Sequence, residues 1–535
     1  MDNIKILDCT LRDGGYVNQF RFGAKTIQKI IQKLSEASID IIECGFLVSG
    51  AKDKDCALFP GMDSVREAIL HKNPNAMYVA MIQYGKISGE EISPCDGQSI
   101  DGIRLTFHEH EIEAALSLGR ELQEKGYKIF MQPVGTMTYP DETLLRLIKE
   151  INQMRPYAFY MVDTLGTMYK KDLFRMFFLF DHNLDSKIAV GFHSHNNLQL
   201  AFSNALELMQ MNTRRQIIID SSVYGIGRGA GNLCTELITQ YINDNIALKY
   251  NNLEILEIID QYVKPLQRQY SWGYDAAYYI ASINDCHPNY SQFLLNLQTL
   301  HVQDIHAILN GMSAPKRALY DREYIEKQYV DYMSRQVDDK GVLEKYATRL
   351  KGRKILILAP GKSIHQNTDR LSQLIRENKY FAVSVNFIPE QIPIDAVFIS
   401  NMKRFDNLND LNSFLGGIEA VITSNISLEG SGTVSVINYA EYLNEEQIIV
   451  DNAGLMCINF VKKAGASHIL LAGFDGFSPR LSDNYYEEHM VLDVDKERLQ
   501  KMNEAFARKL AQIQRILPVE FLTDSVYALS GTADY

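Results

Sequence analysis

The sequence predicts an α/β protein: a (β/α)8 barrel, then a helical extension, then a second, doubly wound α/β domain. Three observations carry this reading. Eight short, β-rich apolar runs alternate with helix-periodic segments across the first 250 residues. Tyrosine-rich helices follow, and a second alternation of strands and helices starts at Lys354. A chain of 535 residues is also too long for one hydrophobic core.

The eight runs are Ile4 to Cys9, Ile39 to Phe46, Met77 to Ile82, Gly102 to Phe107, Lys128 to Val134, Ala158 to Val162, Ile188 to His193 and Gln216 to Val223. Helical periodicity fills the gaps, as in Thr26 to Ala37, Asp63 to His71, Glu111 to Lys125, Asp141 to Gln153, Lys171 to Phe180 and Leu198 to Met209. In size and order this fits a (β/α)8, or TIM, barrel over residues 1–250. Residues 251–335, with Trp272-Gly-Tyr-Asp-Ala-Ala-Tyr-Tyr, read as a helical module packed on the barrel, its aromatic stripes serving as core. His287 stands apart, because it precedes Pro288 at a helix break from which a side chain can reach the barrel mouth. The charged stretch 336–353 reads as a linker. Residues 354–535 read as a Rossmann-like domain, with strands from Lys354 and at Phe381 to Phe387, Asp395 to Ile399, Ala420 to Thr423, Gln447 to Asp451, His468 to Ala472 and Val519 to Leu522.

Chemistry in such a barrel sits at the C-terminal strand ends. The first strand runs into Leu7-Asp-Cys-Thr-Leu-Arg12-Asp13-Gly-Gly-Tyr16, where a carboxylate can ligate a cation and a guanidinium can face an oxyanion. The two glycines are expected to let a substrate approach the backbone. The seventh strand ends in His193 and His195, two positions apart and so on one face. With Asp13 they make two imidazoles and one carboxylate, a set that leaves metal positions open. His108 and His110 offer the same spacing after the fourth strand. Layers inside the barrel draw on alternate strands, and strands one and seven share parity, so the 193/195 pair is the better set.

Thr10-Leu11-Arg12-Asp13-Gly14, Glu43 in Ile-Ile-Glu-Cys-Gly, His193-Ser-His195 and Gly227-Arg-Gly-Ala-Gly-Asn232 together resemble the DRE-TIM (HMGL-like) metallolyases. This family includes 4-hydroxy-2-oxovalerate aldolase, hydroxymethylglutaryl-CoA lyase and the isopropylmalate and homocitrate synthases. The resemblance covers the first 250 residues. It implies that Asp13, His193 and His195 hold a divalent metal, with Asn232 as a weaker fourth ligand, and that Arg12 stabilises an enolate while Glu43 orients Arg12. The metal expected is manganese, with magnesium, cobalt and zinc as alternatives. Asn196-Asn-Leu-Gln after the second histidine lies nearer the aldolase pattern than the Asn-Asp-x-Gly of the synthases. The lyase's loop cysteine is replaced by Tyr224-Gly-Ile-Gly. Where the aldolases carry a histidine as base, this chain has Tyr16, whose ordinary pKa of about 10 suits donation better than proton abstraction. Tyr16, His108 and a metal-bound water are the candidate bases.

A net charge of −12 without a basic cluster argues against nucleic acid as a partner. Seven cysteines with no Cys-x-x-Cys point to reduced thiols. No signal peptide or membrane-length apolar stretch is read, so a soluble, cytoplasmic protein is expected, and a homo-oligomer. In the second domain Gly361-Lys362-Ser363 fails as a P-loop, because position 356 is Leu; a phosphate-cradling turn remains. Asn452-Ala-Gly and Ile469-Leu-Leu-Ala-Gly-Phe-Asp-Gly resemble the nucleotide-sugar domains of bacterial sialyltransferases and motility-accessory proteins, which implies a nucleotide or sugar ligand.

The expected activity is that of a metal-dependent aldolase joining or parting a pyruvate-like 2-oxo acid enolate and an aldehyde, sugar-derived in one version. The alternatives are a bifunctional aldolase and glycosyltransferase of surface-polysaccharide synthesis, an acyl-CoA condensing enzyme of the isopropylmalate synthase kind, and a scaffold with a relic site.

Overall fold

In a computed structural model of the chain the described residues are 3–297, 299–318, 320–334, 336–407, 418–426, 434–478, 484–486 and 496–528. They form two compact units, Met1–Ser291 with Ala314–Leu319, and Gln292–Ser313 with Tyr320–Tyr535.

The first unit is a closed parallel barrel. Its strands are β1 (Ile4–Asp8), β2 (Ile41–Leu47), β3 (Leu58–Phe59), β4 (Met77–Gln83), β5 (Gly102–Phe107), β6 (Lys128–Pro133), β7 (Ala158–Asp163), β8 (Ala189–Ser194) and β9 (Ile217–Ser221). They run in the order β1-β9-β8-β7-β6-β5-β4-β2, with β3 appended to β2, and pairing of Leu7 with Ile41 between β1 and β2 closes the ring. Strands buried on both faces explain the near-continuous apolar runs. One face of each strand joins the outer core with the helices; Ala24–Glu36, for example, buries Ile27, Ile30, Ile31 and Leu34 at helical spacing. The other face fills the barrel with Leu7, Ile41, Val79, Phe130, Tyr160 and Ile218. Above this plug the inward positions turn polar, and the candidate site begins there.

The helices of 251–335 divide between the units: Ala276–Ile283 falls in the first, whereas Val302–Gly311 and Arg322–Met333 fall in the second. The stretch read as a linker contains a helix, Lys340–Leu350. Its charges are not solvated spacers, since Lys345 and Arg349 both pair with Glu419, and Tyr346 packs edge-on against Phe460.

The second unit is an open parallel sheet of β10 (Ile355–Leu358), β11 (Phe381–Val385), β12 (Ala396–Ile399), β13 (Glu419–Thr423), β14 (Val434–Ile437), β15 (Ile469–Ala472) and β16 (Val519–Phe521). The order is β14-β13-β12-β11-β10-β15-β16, so the winding reverses between β10 and β15. One expected strand is corrected. Gln447–Ile449 forms a 3-10 turn leading into the helix Ala453–Lys463, and the fifth strand is Val434–Ile437 instead. Three apolar residues in a row, Ile448 to Val450, do not distinguish a strand from a buried turn. Among the described residues no helix is long and apolar enough to cross a membrane.

Candidate active site

The site is built at the C-terminal end of the barrel. After β1 the chain turns tightly, with the amides of Arg12 and Asp13 both donating to the Cys9 carbonyl at 3.1 and 2.8 Å. The Thr10 hydroxyl accepts from the Val223 amide at 2.8 Å and ties this turn to the end of β9. Gly14 and Gly15 do not open the backbone to substrate as the sequence led us to expect. A Cβ on Gly14 would lie 2.8 Å from Ile226, and one on Gly15 would strike the Phe20 ring, so both glycines permit packing.

Arg12 is 5% exposed. Its Nε donates to Glu43 Oε2 at 2.8 Å and one terminal nitrogen to Asp13 Oδ1 at 2.7 Å, while its NH2 group has no partner among the described residues. Glu43 Oε2 also accepts from Arg104 at 2.7 Å. Arg104 spans the barrel interior to pair with Asp220, which accepts from Tyr160 at 3.1 Å and lies 2.9 Å from His193 Nδ1. A buried chain of charge thus runs Arg12, Glu43, Arg104, Asp220, His193. Burial works against ionising Asp220, yet Arg104 and His193 hold its carboxyl below the usual range. Because ionised Asp220 can only accept, His193 Nδ1–H donates to it, which leaves the free lone pair on Nε2.

Asp13, His193 and His195 are all buried and offer ligand atoms within 4.8 Å of one another. Burial opposes ionisation of Asp13 too, but Arg12 and the two histidines keep it well below the normal carboxylate range. Burial takes the His195 imidazole down to about 4, so it is a neutral donor near pH 7. Asn232 bridges to His195 through the backbone and donates its amide to Asp13 Oδ2 at 2.6 Å. Its buried Oδ1 has no partner among the described residues. Two imidazoles, a carboxylate and an unpartnered amide oxygen in one pocket fit a divalent cation. Gly227 is required beside them, since a Cβ there would meet Asn232 and lie 2.9 Å from Asp13 Oδ2.

His108 and His110 are elsewhere. They follow β5 with stacked rings 5.9 Å apart, His110 is largely exposed, and the His108 amide donates to Glu111 at the start of a helix. Tyr16 closes the turn Gly14–Tyr16; the residue is 43% exposed and its ring lies edge-on to Phe20 and Phe46. Desolvation of the phenol pushes its pKa above the ordinary value. His287 is buried, and burial takes it to about 4, with the charges of Arg228 and His195 adding to the effect. Arg104 and Asp220 escaped the sequence reading, although a signal existed: each is a charged residue inside an otherwise apolar strand, a placement that demands a buried partner.

In the second unit the Gly361-Lys362-Ser363 turn is closed from within. The amide and hydroxyl of Ser363 both donate to Asp475, so a carboxylate already occupies the place a phosphate would take. A separate cleft of about 220 Å³ opens at the carboxyl ends of β10, β11, β12 and β15, with Asn386, Arg404, Asn452, Tyr485 and Arg498 among its walls.

Comparison with known proteins finds relatives of the barrel. The HMGL-like family matches residues 104–261. A 4-hydroxy-2-oxovalerate aldolase of Geobacillus genomosp. 3 is 27% identical over 273 residues, covering 49% of this chain and 77% of that enzyme. An oxaloacetate decarboxylase of Mycobacterium tuberculosis is 27% identical over 236 residues, 44% of this chain and 68% of the relative. The HMG-CoA lyase structure of Brucella melitensis aligns at 14% identity with a TM-score of 0.41, covering 50% of this chain and 99% of that one. Residues 104–261 therefore carry an HMGL-like, DRE-TIM domain, and the curated relatives of the barrel include carbon–carbon lyases.

Proposed function

We propose that the barrel is a metal-dependent aldolase joining a pyruvate-like 2-oxo acid to an aldehyde, or cleaving the product. The observation that carries this reading is the unpartnered NH2 of Arg12 beside the buried Asp13, His193 and His195. A divalent cation on those three residues, with Asn232 Oδ1 as a weaker ligand, would polarise the 2-oxo carbonyl and acidify the adjacent methyl group. Arg12 donates to the oxygen that becomes negative, and Glu43 with Asp13 keeps its guanidinium aimed. Asp220 fixes the His193 ring so that Nε2 faces the ligand cluster. In the forward step the methyl carbon loses a proton, bonds to the aldehyde carbon, and the aldehyde oxygen gains a proton to become a hydroxyl. Tyr16 is assigned to that last donation, because its raised pKa keeps the phenol protonated. The methyl proton goes to a base outside the ligand cluster, for which we propose His108, the residue after β5.

The test is exchange of pyruvate methyl protons in deuterated water by the metal-loaded protein. Exchange that disappears on chelation and returns with manganese is expected; a metal-loaded protein that never exchanges them rejects the reading.

For the second unit we infer a nucleotide or sugar ligand, through which the aldehyde would be sugar-derived. The support is the position of the cleft, at the carboxyl ends of parallel strands where their order reverses. A nucleotide-dependent rise in the melting temperature of the full chain is the expected result, and hydrolysis of a nucleotide sugar would favour the bifunctional alternative. Seven cysteines without a Cys-x-x-Cys support a cytoplasmic location.

A further inference from the structure

The loop after β9 is fastened on several sides. Gly231 N–H donates to the Arg228 carbonyl at 3.1 Å, Asn196 N–H to the Gly231 carbonyl at 2.8 Å, and Ala230 N–H to Asn197 Oδ1 at 3.0 Å. Gly229 and Gly231 take left-handed φ values of 68° and 80° that make this turn possible. At its first residue, Gly227, a Cβ would meet Asn232 and Asp13. Arg228 is the next residue, so its side chain starts at the edge of the ligand cluster. It turns over the Tyr16 ring, with the guanidinium carbon 4.9 Å from the ring centre. Its charge also reaches His195 and His287.

What separates Arg228 from the other guanidinium groups here is its lack of a counter-ion. Arg12 is held by Glu43 and Asp13, and Arg104 by Glu43 and Asp220. Half-buried Arg228 has no side-chain hydrogen bond or ion pair to a carboxylate among the described residues. The site's charge balance makes this informative. Two guanidinium groups face three carboxylates, which leaves one negative charge; a divalent cation reverses it, and a bound 2-oxo monocarboxylate cancels it. The Arg228 charge is then left over, next to the tyrosine that would meet the aldehyde.

We propose that Arg228 is an anion subsite for the acceptor, so that the preferred aldehyde carries a carboxylate or a phosphate. This rests on the aldolase reading. An acceptor's anionic group would satisfy the guanidinium with charge-assisted hydrogen bonds while its carbonyl lies within reach of Tyr16.

The experiment uses the metal-loaded full chain and its Arg228→Gln and Arg228→Lys variants. Aldol addition of pyruvate is measured to succinic semialdehyde, glyceraldehyde 3-phosphate and propanal, alongside methyl proton exchange with no aldehyde present. The parent is expected to favour at least one anionic aldehyde. In Arg228→Gln the ratio of kcat/KM for that aldehyde over propanal should fall by about tenfold or more, mainly through KM, with partial recovery in Arg228→Lys. The anionic aldehyde that loses more identifies the group bound. An unchanged ratio, or a parent that prefers propanal to both, overturns the subsite while leaving the aldolase reading intact. A loss that appears equally in aldehyde-free exchange also overturns it, by placing Arg228 on the 2-oxo acid. Absence of exchange in the parent itself defeats the underlying reading, and the subsite with it.

Discussion

His193 Nδ1 and Asp220 Oδ2 lie 2.9 Å apart inside the barrel, and this pair links the metal-ligand cluster to the charges that hold Arg12. Asp220 also binds Arg104, Arg104 binds Glu43, and Glu43 binds Arg12. One buried network therefore sets both the lone pair of His193 and the aim of the Arg12 guanidinium. Asp220→Asn keeps the shape but removes the charge. We expect a folded protein whose affinity for manganese drops about 10- to 100-fold, read by titration against a fluorescent chelator. Unchanged affinity would disconnect the pair from metal binding.

Arg104→Met tests the same network through stability. It strands Glu43 and Asp220 as buried carboxylates facing one fewer cation, which typically costs about 3–5 kcal/mol. The barrel's melting temperature should fall by several degrees at neutral pH. A variant that melts like the parent would show that Arg12 and His193 neutralise the two carboxylates without it.

His195→Ala should abolish stoichiometric binding of manganese or cobalt, because two of three ligands make a weak site. The double variant His108→Ala with His110→Ala should retain full occupancy, since neither side chain is among the three that cluster. The reverse pattern of metal contents would move the site to β5.

For Arg12→Lys the expected outcome is a folded, metal-loaded protein with kcat reduced on the order of 10² to 10³, the usual effect of removing one oxyanion donor. A lysine brings charge but not the planar fork that meets Glu43 and Asp13 while leaving NH2 free. Near-parental turnover would reduce Arg12 to a structural cation.

Tyr16→Phe separates donation from proton abstraction. Carbon–carbon bond making should slow much more than pyruvate methyl exchange, because the raised pKa leaves the phenol a donor. Parallel loss in both assays would make Tyr16 the enolising base, and no loss in either would leave it as an aromatic wall against Phe20 and Phe46.

The sequence by itself determined the barrel and where its chemistry could lie. Alternating apolar runs and amphipathic helices are local patterns with fixed periods, and parallel strands deliver Asp13, His193 and His195 to the same end of a closed ring whatever their separation in the chain. Tertiary structure alone decided the rest. Arg104 meets Asp220 across 116 positions, and nothing periodic in either strand encodes that partner. Gly14 and Gly15 looked like an opening for substrate, but Ile226 and Phe20 fill the space. Ser363 looked open to phosphate until Asp475, 112 residues on, closed its amide. Val434–Ile437 took the strand position expected of Gln447–Asp451, because both are short apolar runs and only pairing with β13 distinguishes them. Local patterns fix which way a side chain points; a buried charge, or a guanidinium such as Arg228 with no carboxylate partner among the described residues, acquires its meaning only from what the closed fold sets beside it.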